Sequence, residues 1–148
     1  MKVHATCVVI GEAGVLIRGP SGSGKSSLAR ELLATAEALG RFARLVSDDR
    51  SALDERHGRL IARSVVPIEG RLEVRGVGLV ALPFEAAALV RLVVDCVPGP
   101  KERLPHESTT ETEIGTVRLP RLVHHGEAGF AEIVLWRLRD LCDTPTTV

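Results

Sequence analysis

The stretch Gly19-Pro-Ser-Gly-Ser-Gly-Lys-Ser26 constrains this chain more than any other. It satisfies G-x-x-x-x-G-K-[ST] at every fixed position, and its surroundings suit the motif. Ahead of it, Gly14-Val-Leu-Ile-Arg18 is short, apolar and β-branched, as a buried strand would be. Behind it, Ser26 to Leu39 reads as a helix, with Leu28, Leu32, Leu33, Ala36 and Leu39 on one face and Gly40 placed for a left-handed C-terminus. Gly19, Gly22 and Gly24 let successive N–H groups turn into one hollow, and the helix starting near Lys25 adds the positive end of its dipole. Lys25 is spaced to reach β- and γ-phosphates and the Ser26 hydroxyl to sit on Mg²⁺, so Gly19, Pro20, Ser21, Gly22, Ser23, Gly24, Lys25, Ser26 and Ser27 form the expected nucleotide site. An ordinary Gly/Ser turn is the bland alternative, and the strand and helix on either side tell against it.

At 148 residues, with 45% apolar and 26% charged side chains, the chain has the composition of one globular domain. Its 19 basic and 19 acidic residues cancel, so bulk charge draws it toward neither nucleic acid nor membrane. Aromatic residues are too scarce for a base-stacking platform. Cys7, Cys96 and Cys142 are far apart and form no CxxC pair, which predicts reduced, buried thiols in a reducing cytoplasm. No signal peptide or membrane-length apolar run is apparent.

In chain order, Val3–Ile10 predicts a strand, Gly11–Gly14 a hairpin turn, and Ala43–Val46 a short strand ending in Ser47-Asp48-Asp49. Ser51–Pro67 predicts a hairpin turning near Arg56-His57-Gly58, and Pro67–Gly70 a loop. Arg71–Ala81 reads as one strand whose two glycines mark a close backbone approach or a bulge. Glu85–Val90 suits a short helix or strand, Val90–Val97 a buried strand, Pro98–Ile114 a long functional loop and Gly115–Leu122 a last strand. Ala128–Leu141 predicts a C-terminal helix with Ile133, Leu135, Trp136, Leu138 and Leu141 apolar, before a frayed tail over 143–148.

An acid at the C-terminal end of a strand beside a phosphate loop faces the nucleotide, so Asp48-Asp49 are candidate metal and proton-transfer groups. Side chains alternate along an ideal strand, so the two acids are expected to divide the labour. Glu73 and Arg75 share one face of Leu72-Glu-Val-Arg-Gly-Val-Gly78, where they could serve a metal and an oxyanion or form a plain surface ion pair. Lys101 and Arg103 on the long loop are candidate cations closing over the γ-phosphate, against the bland reading of a solvated charged loop. His4 is as readily an ordinary imidazole, and His124-His125, without a carboxylate at ligand spacing, receives no role.

His4, Gly14 to Ser26, Leu45-Val-Ser-Asp-Asp49 and above all Leu72-Glu-Val-Arg-Gly-Val-Gly78 together resemble the catalytic C-terminal domain of the HPr kinase/phosphorylase family, in a short alphaproteobacterial-type version. The resemblance spans roughly residues 3–105. It implies an α/β P-loop domain of the kind shared with phosphoenolpyruvate carboxykinase, a mixed sheet with flanking helices occupying residues 1–142, and no family N-terminal domain ahead of it. It implies a cytoplasmic serine kinase that phosphorylates the phosphocarrier HPr from ATP or pyrophosphate, in the regulation of carbon metabolism, and reverses this with inorganic phosphate. By motif, Asp48 would take the serine proton, and Lys25 would hold the β- and γ-phosphates. Ser26 and Glu73, with Asp49, would bind Mg²⁺; His4 would neighbour the reacting phosphate and Arg103 would be the capping-loop cation. The family's full-length members assemble as hexamers. Here Leu122-Val-His-His-Gly126 stands where the family carries a Pro-Gly-Arg-Asn-type segment. Two other classes compete: a small-molecule P-loop kinase, and a non-enzymatic nucleotide-binding regulatory module.

Overall fold

The computed structural model describes residues 1–65, 70–99 and 110–143. In chain order these form β1 (Lys2–Val3), β2 (Ala5–Ile10), β3 (Ala13–Arg18), α1 (Lys25–Ala38), β4 (Ala43–Ser47), β5 (Ser51–Arg56) and β6 (Arg59–Ser64). There follow β7 (Arg71–Val74), β8 (Gly78–Ala81), β9 (Ala87–Cys96), β10 (Glu111–Ile114), β11 (Val117–His124) and α2 (Phe130–Asp143). Strands run β1-β5-β6-β9-β3-β2-β4 across one mixed sheet, β11 also joins β9, β10 pairs with β11, and β7-β8 form a separate hairpin.

β9 is the trunk of this sheet. It pairs in parallel with β3 along one edge. Along the other edge its first residues, Ala87–Leu89, meet β6 antiparallel, and its last, Val93–Cys96, meet β11 in parallel. Three parallel strands, β3, β9 and β11, therefore end at one edge, where ligands of α/β sheets gather. A register shift at Gly14/Val15 inserts Arg91 as a bulge, so Val90 and Leu92, two positions apart, join cores on opposite faces. One core, with Val8, Val15, Ile17, Leu92 and Val94, packs beneath α1 and α2. The other, with Cys7, Leu16, Val46, Leu53 and Leu60, lies where the β5-β6 wing curls over the sheet.

α1 buries Leu28, Ala29, Leu32 and Ala36. It ends as expected at Gly40 (φ 72), with Arg41 N–H donating to Ala36 C=O and Gly40 N–H to Glu37 C=O, a Schellman closure. Leu39 lies past the last helical residue and is exposed. α2 buries Phe130, Ala131, Val134, Leu135 and Leu138, while Ile133 and Trp136 face out; their sequence neighbours take the core-facing stripe.

Other expectations are corrected. The first strand is broken at His4 into β1 and β2, because β1 leaves the β2 line to pair with β5. Arg71–Ala81 is a hairpin turning through Arg75-Gly76-Val77. Nothing lies within 4 Å of a Cβ at Gly76 or Gly78, so their positive φ values serve the turn and its exit, not a close approach. Residues 87–90 open β9, and Glu111–Ile114 is strand because the left-handed Gly115 (φ 61) turns the chain back to pair it with β11. The proposed loop over 67–69, most of the long loop (100–109) and the tail 144–148 lie outside the described residues.

Candidate phosphate-binding site

The loop after β3 is built as the motif requires. Gly22 (φ 79) and Gly24 (φ 97) take left-handed backbone, and Ser23 N–H closes a turn onto Pro20 C=O. Gly19 is packed against β9: a Cβ there would stand 2.9 Å from the Cys96 carbonyl oxygen and 3.0 Å from its Cβ. No side chain caps the start of α1 and no acid sits in its first turn, so the N-terminal N–H groups keep their field for an anion. Lys25 is buried; its Nζ donates to Gly19 C=O (2.8 Å) and Pro20 C=O (3.1 Å) and lies 3.5 Å from Asp49 Oδ1. Ser23 Oγ is buried against Gly19 without a hydrogen-bond partner among the described residues.

The two acids at the end of β4 both reach this loop. Alternation would have sent them to opposite faces, but the strand has ended at Ser47 and Asp49 adopts left-handed backbone (φ 61). Asp48 Oδ1 accepts from Ser26 Oγ (2.7 Å) and Thr6 Oγ1 (3.1 Å), and its Oδ2 accepts from Glu73 N–H (3.1 Å). Thr6, fully buried in β2, also accepts from Asp49 N–H at 3.0 Å. The sequence reading missed Thr6; its only signal is a hydroxyl inside the apolar run Ala5-Thr-Cys-Val-Val-Ile10.

Leu72, buried in the helix-side core, anchors the β7-β8 hairpin above the loop. Between them lies a cavity of about 730 Å³, lined by Gly22, Lys25, Ser26, Asp48, Asp49, Glu73, Arg75 and Val77 among others. Its lining brings loop amides and the Lys25 ammonium together with the carboxylates of Asp48, Asp49 and Glu73, a donor set suited to an anion and a hard cation together. The cavity wall also includes Ser21, Gly24 and Ser27; Gly19 and Pro20 instead hold Lys25 from behind. His4 is exposed at the bend between β1 and β2 and does not line this cavity. Arg103 and Lys101 lie outside the described residues.

The same sheet edge carries groups that the sequence left unpaired. Asp95, at the end of β9, takes two hydrogen bonds from Arg18 (2.8 and 2.9 Å) and one from Arg121, tying β3, β9 and β11 together. Burial resists ionisation of Asp95, but the two guanidiniums outweigh it and hold the carboxyl below its usual range. His124 and His125 do have a carboxylate: Glu127 Oε1 lies 3.6 Å from His124 Nδ1, and Glu127 Oε2 accepts from His125 N–H at 3.1 Å. Burial pushes the Cys7 thiol up to about 12 and Cys96 to about 11, so neither is a nucleophile at neutral pH. Cys142, expected to be buried, is exposed. Among the described residues no helix is long and apolar enough to cross a membrane.

A family model described as the HPr serine kinase C-terminal domain matches residues 1–84. HPr kinase/phosphorylase of Clostridium tetani is 40% identical over 82 residues, covering 55% of this chain and 25% of that protein. The enzyme of the same name from Clostridium beijerinckii is 40% identical over 79 residues, covering 53% and 24%. The chain thus spans about a quarter of the length of these curated relatives. The solved Hpr(Ser) kinase/phosphatase from Coxiella burnetii shares the fold, with a TM-score of 0.76 and 22% identity over 95% of this chain and 89% of that one.

Proposed function

The chain belongs to the HPr serine kinase C-terminal domain family, and from that membership we propose that it transfers a phosphoryl group from ATP to a serine hydroxyl of the phosphocarrier HPr. The observation that carries this reading is the Asp48 carboxylate, fixed beside the phosphate loop by Ser26, Thr6 and the Glu73 amide. The loop amides and Lys25 bind the β- and γ-phosphates, Lys25 exchanging its carbonyl partners for phosphate oxygens. The acceptor serine oxygen bonds to the γ-phosphorus as its proton passes to Asp48, and the bond from that phosphorus to the bridging oxygen breaks, releasing ADP. Run backwards with inorganic phosphate in place of ADP, the same groups release pyrophosphate and Asp48 returns the proton.

Ser26, Asp49 and Glu73 supply hard oxygens that fit Mg²⁺. Among the described residues no cluster of three or more His, Cys, Asp and Glu forms a cage of its own, which suits an ion held largely by substrate phosphates. Bound there, Mg²⁺ would neutralise charge on the transferring phosphates. Arg103, outside the described residues, would be the capping cation on the γ-phosphate, and His4, which does not line the cavity, would have to move in to neighbour the reacting phosphate. Residues 1–142 act in this reading as one catalytic unit of a cytoplasmic protein in carbon regulation.

The test is mass spectrometry of HPr after incubation with the protein, ATP and Mg²⁺. A single added phosphate on serine is expected, with Asp48→Asn reducing transfer by at least about a hundredfold while nucleotide still binds. HPr that stays unmodified sinks the proposal. ATP binding without turnover would favour the regulatory module, and phosphorylation of a metabolite instead would favour a small-molecule kinase.

A further inference from the structure

Resting on the reading of Asp48 as proton acceptor, we infer that Thr6 is a positioning residue for phosphoryl transfer, aiming one chosen oxygen of Asp48 at the acceptor hydroxyl. Thr6 is fully buried on β2, which pairs with β4, the strand that Asp48-Asp49 directly follow. Its hydroxyl donates to Asp48 Oδ1 (3.1 Å) and accepts from Asp49 N–H (3.0 Å), so one side chain holds both acids.

The donor and acceptor count at Asp48 then selects the working atom. A carboxylate oxygen offers about two lone-pair sites. At Oδ1 both are engaged, by Ser26 Oγ at 2.7 Å and by Thr6 Oγ1. At Oδ2 only Glu73 N–H binds, at 3.1 Å, which leaves one site facing the cavity that Asp48 lines. Oδ2 is therefore the oxygen that receives the serine proton. Without the Thr6 hydroxyl Oδ1 keeps Ser26 as its one donor of the two, the carboxylate turns more freely about its bond to Cβ, and the Asp49 N–H loses its acceptor. That N–H helps fix the left-handed backbone (φ 61) that keeps Asp49 beside Lys25.

A role in aiming, as opposed to packing, shows up in turnover more than in nucleotide binding. Thr6→Val keeps the shape and removes the hydroxyl; Thr6→Ser keeps the hydroxyl and removes the methyl. With HPr and Mg-ATP, Thr6→Val should lower kcat about tenfold to a hundredfold while KM for ATP moves less than about threefold. Thr6→Ser should stay within about threefold of the parent in both. Urea unfolding of both variants separates lost fold from lost aim, since the kcat loss must persist at urea-free conditions where each is fully folded. A Thr6→Val enzyme with unchanged kcat, or a Thr6→Ser enzyme as slow as Thr6→Val, overturns the inference and leaves the kinase reading standing. An Asp48→Asn enzyme that still turns over, or a parent protein that modifies nothing, overturns both.

Discussion

Replacing Gly19 by alanine probes whether the phosphate loop leans on a rigid wall. The new Cβ would meet three atoms: Ser23 Oγ at 2.5 Å, the Cys96 carbonyl oxygen at 2.9 Å and Cys96 Cβ at 3.0 Å. The Ser23 hydroxyl can rotate away. Cys96 cannot, because it is held in β9 between β3 and β11 and its neighbour Val97 N–H is bonded to His124 C=O. Crowding of a well-packed site costs about 1–3 kcal/mol, and the unfavourable φ of 156° adds to it. Gly22 is the control: it too has a positive φ (79°), but nothing lies within 4 Å of a Cβ there. Gly22→Ala therefore suffers only backbone strain, on the order of 1–2 kcal/mol. Urea unfolding followed by circular dichroism should place Gly19→Ala below Gly22→Ala by about 1–3 kcal/mol, a midpoint difference near 1 M at a typical slope. Calorimetric titration with Mg-ATP should show the larger loss of affinity in Gly19→Ala, about tenfold for each 1.4 kcal/mol diverted into moving the loop. Equal stabilities for the two variants would refute the rigid wall, and undiminished ATP affinity in Gly19→Ala would refute the hollow itself.

Asp95→Asn strips the carboxylate from Arg18 and Arg121 and should destabilise the protein by about 1–3 kcal/mol at pH 7, less than for a fully buried pair because both arginines keep partial exposure. The folded carboxyl titrates below its unfolded value of about 3.9, so its contribution is complete above that pH and fades as pH falls through the folded value. Urea curves of parent and variant should therefore converge on acidification; a constant gap from pH 7 to pH 3 would contradict the ion pair. Ellman's reagent should titrate one thiol, Cys142, in the native protein, and Cys7 and Cys96 only after unfolding. Three rapid equivalents without denaturant would contradict the buried placement.

What the sequence made legible was local. The loop, α1 with its Gly40 ending, and the His57-Gly58 hairpin each declare themselves within a dozen residues through glycine placement and periodicity. The long-range pairings did not. Nothing near Asp95 announces Arg18 or Arg121, which lie 77 and 26 residues away and meet it only because β9 is shared by β3 and β11. Arg71–Ala81 differs for a physical reason: a turn holding Gly76, followed by a strand that opens on Gly78, has the same composition as a bulged strand, and only cross-strand pairing separates them. Among the candidate site residues, Lys25, Ser26, Asp48, Asp49, Glu73 and Arg75 were all nameable from motif and strand end, and they line one cavity. Thr6 was not, since a threonine in a strand is ordinary until its partners are known.

The wall behind Gly19 also bears on how the molecule comes into being. The match to the family model ends at residue 84, yet Cys96, against which the loop rests, lies beyond it. A nascent chain released only as far as β8 would present β3 with Val15, Leu16 and Ile17 lacking their neighbours Leu92, Val93 and Val94. Such a fragment has an open, apolar sheet border that invites pairing with another copy. Pairing of β9 with β3 closes that border, and the same strand brings Cys96 up behind the loop at Gly19.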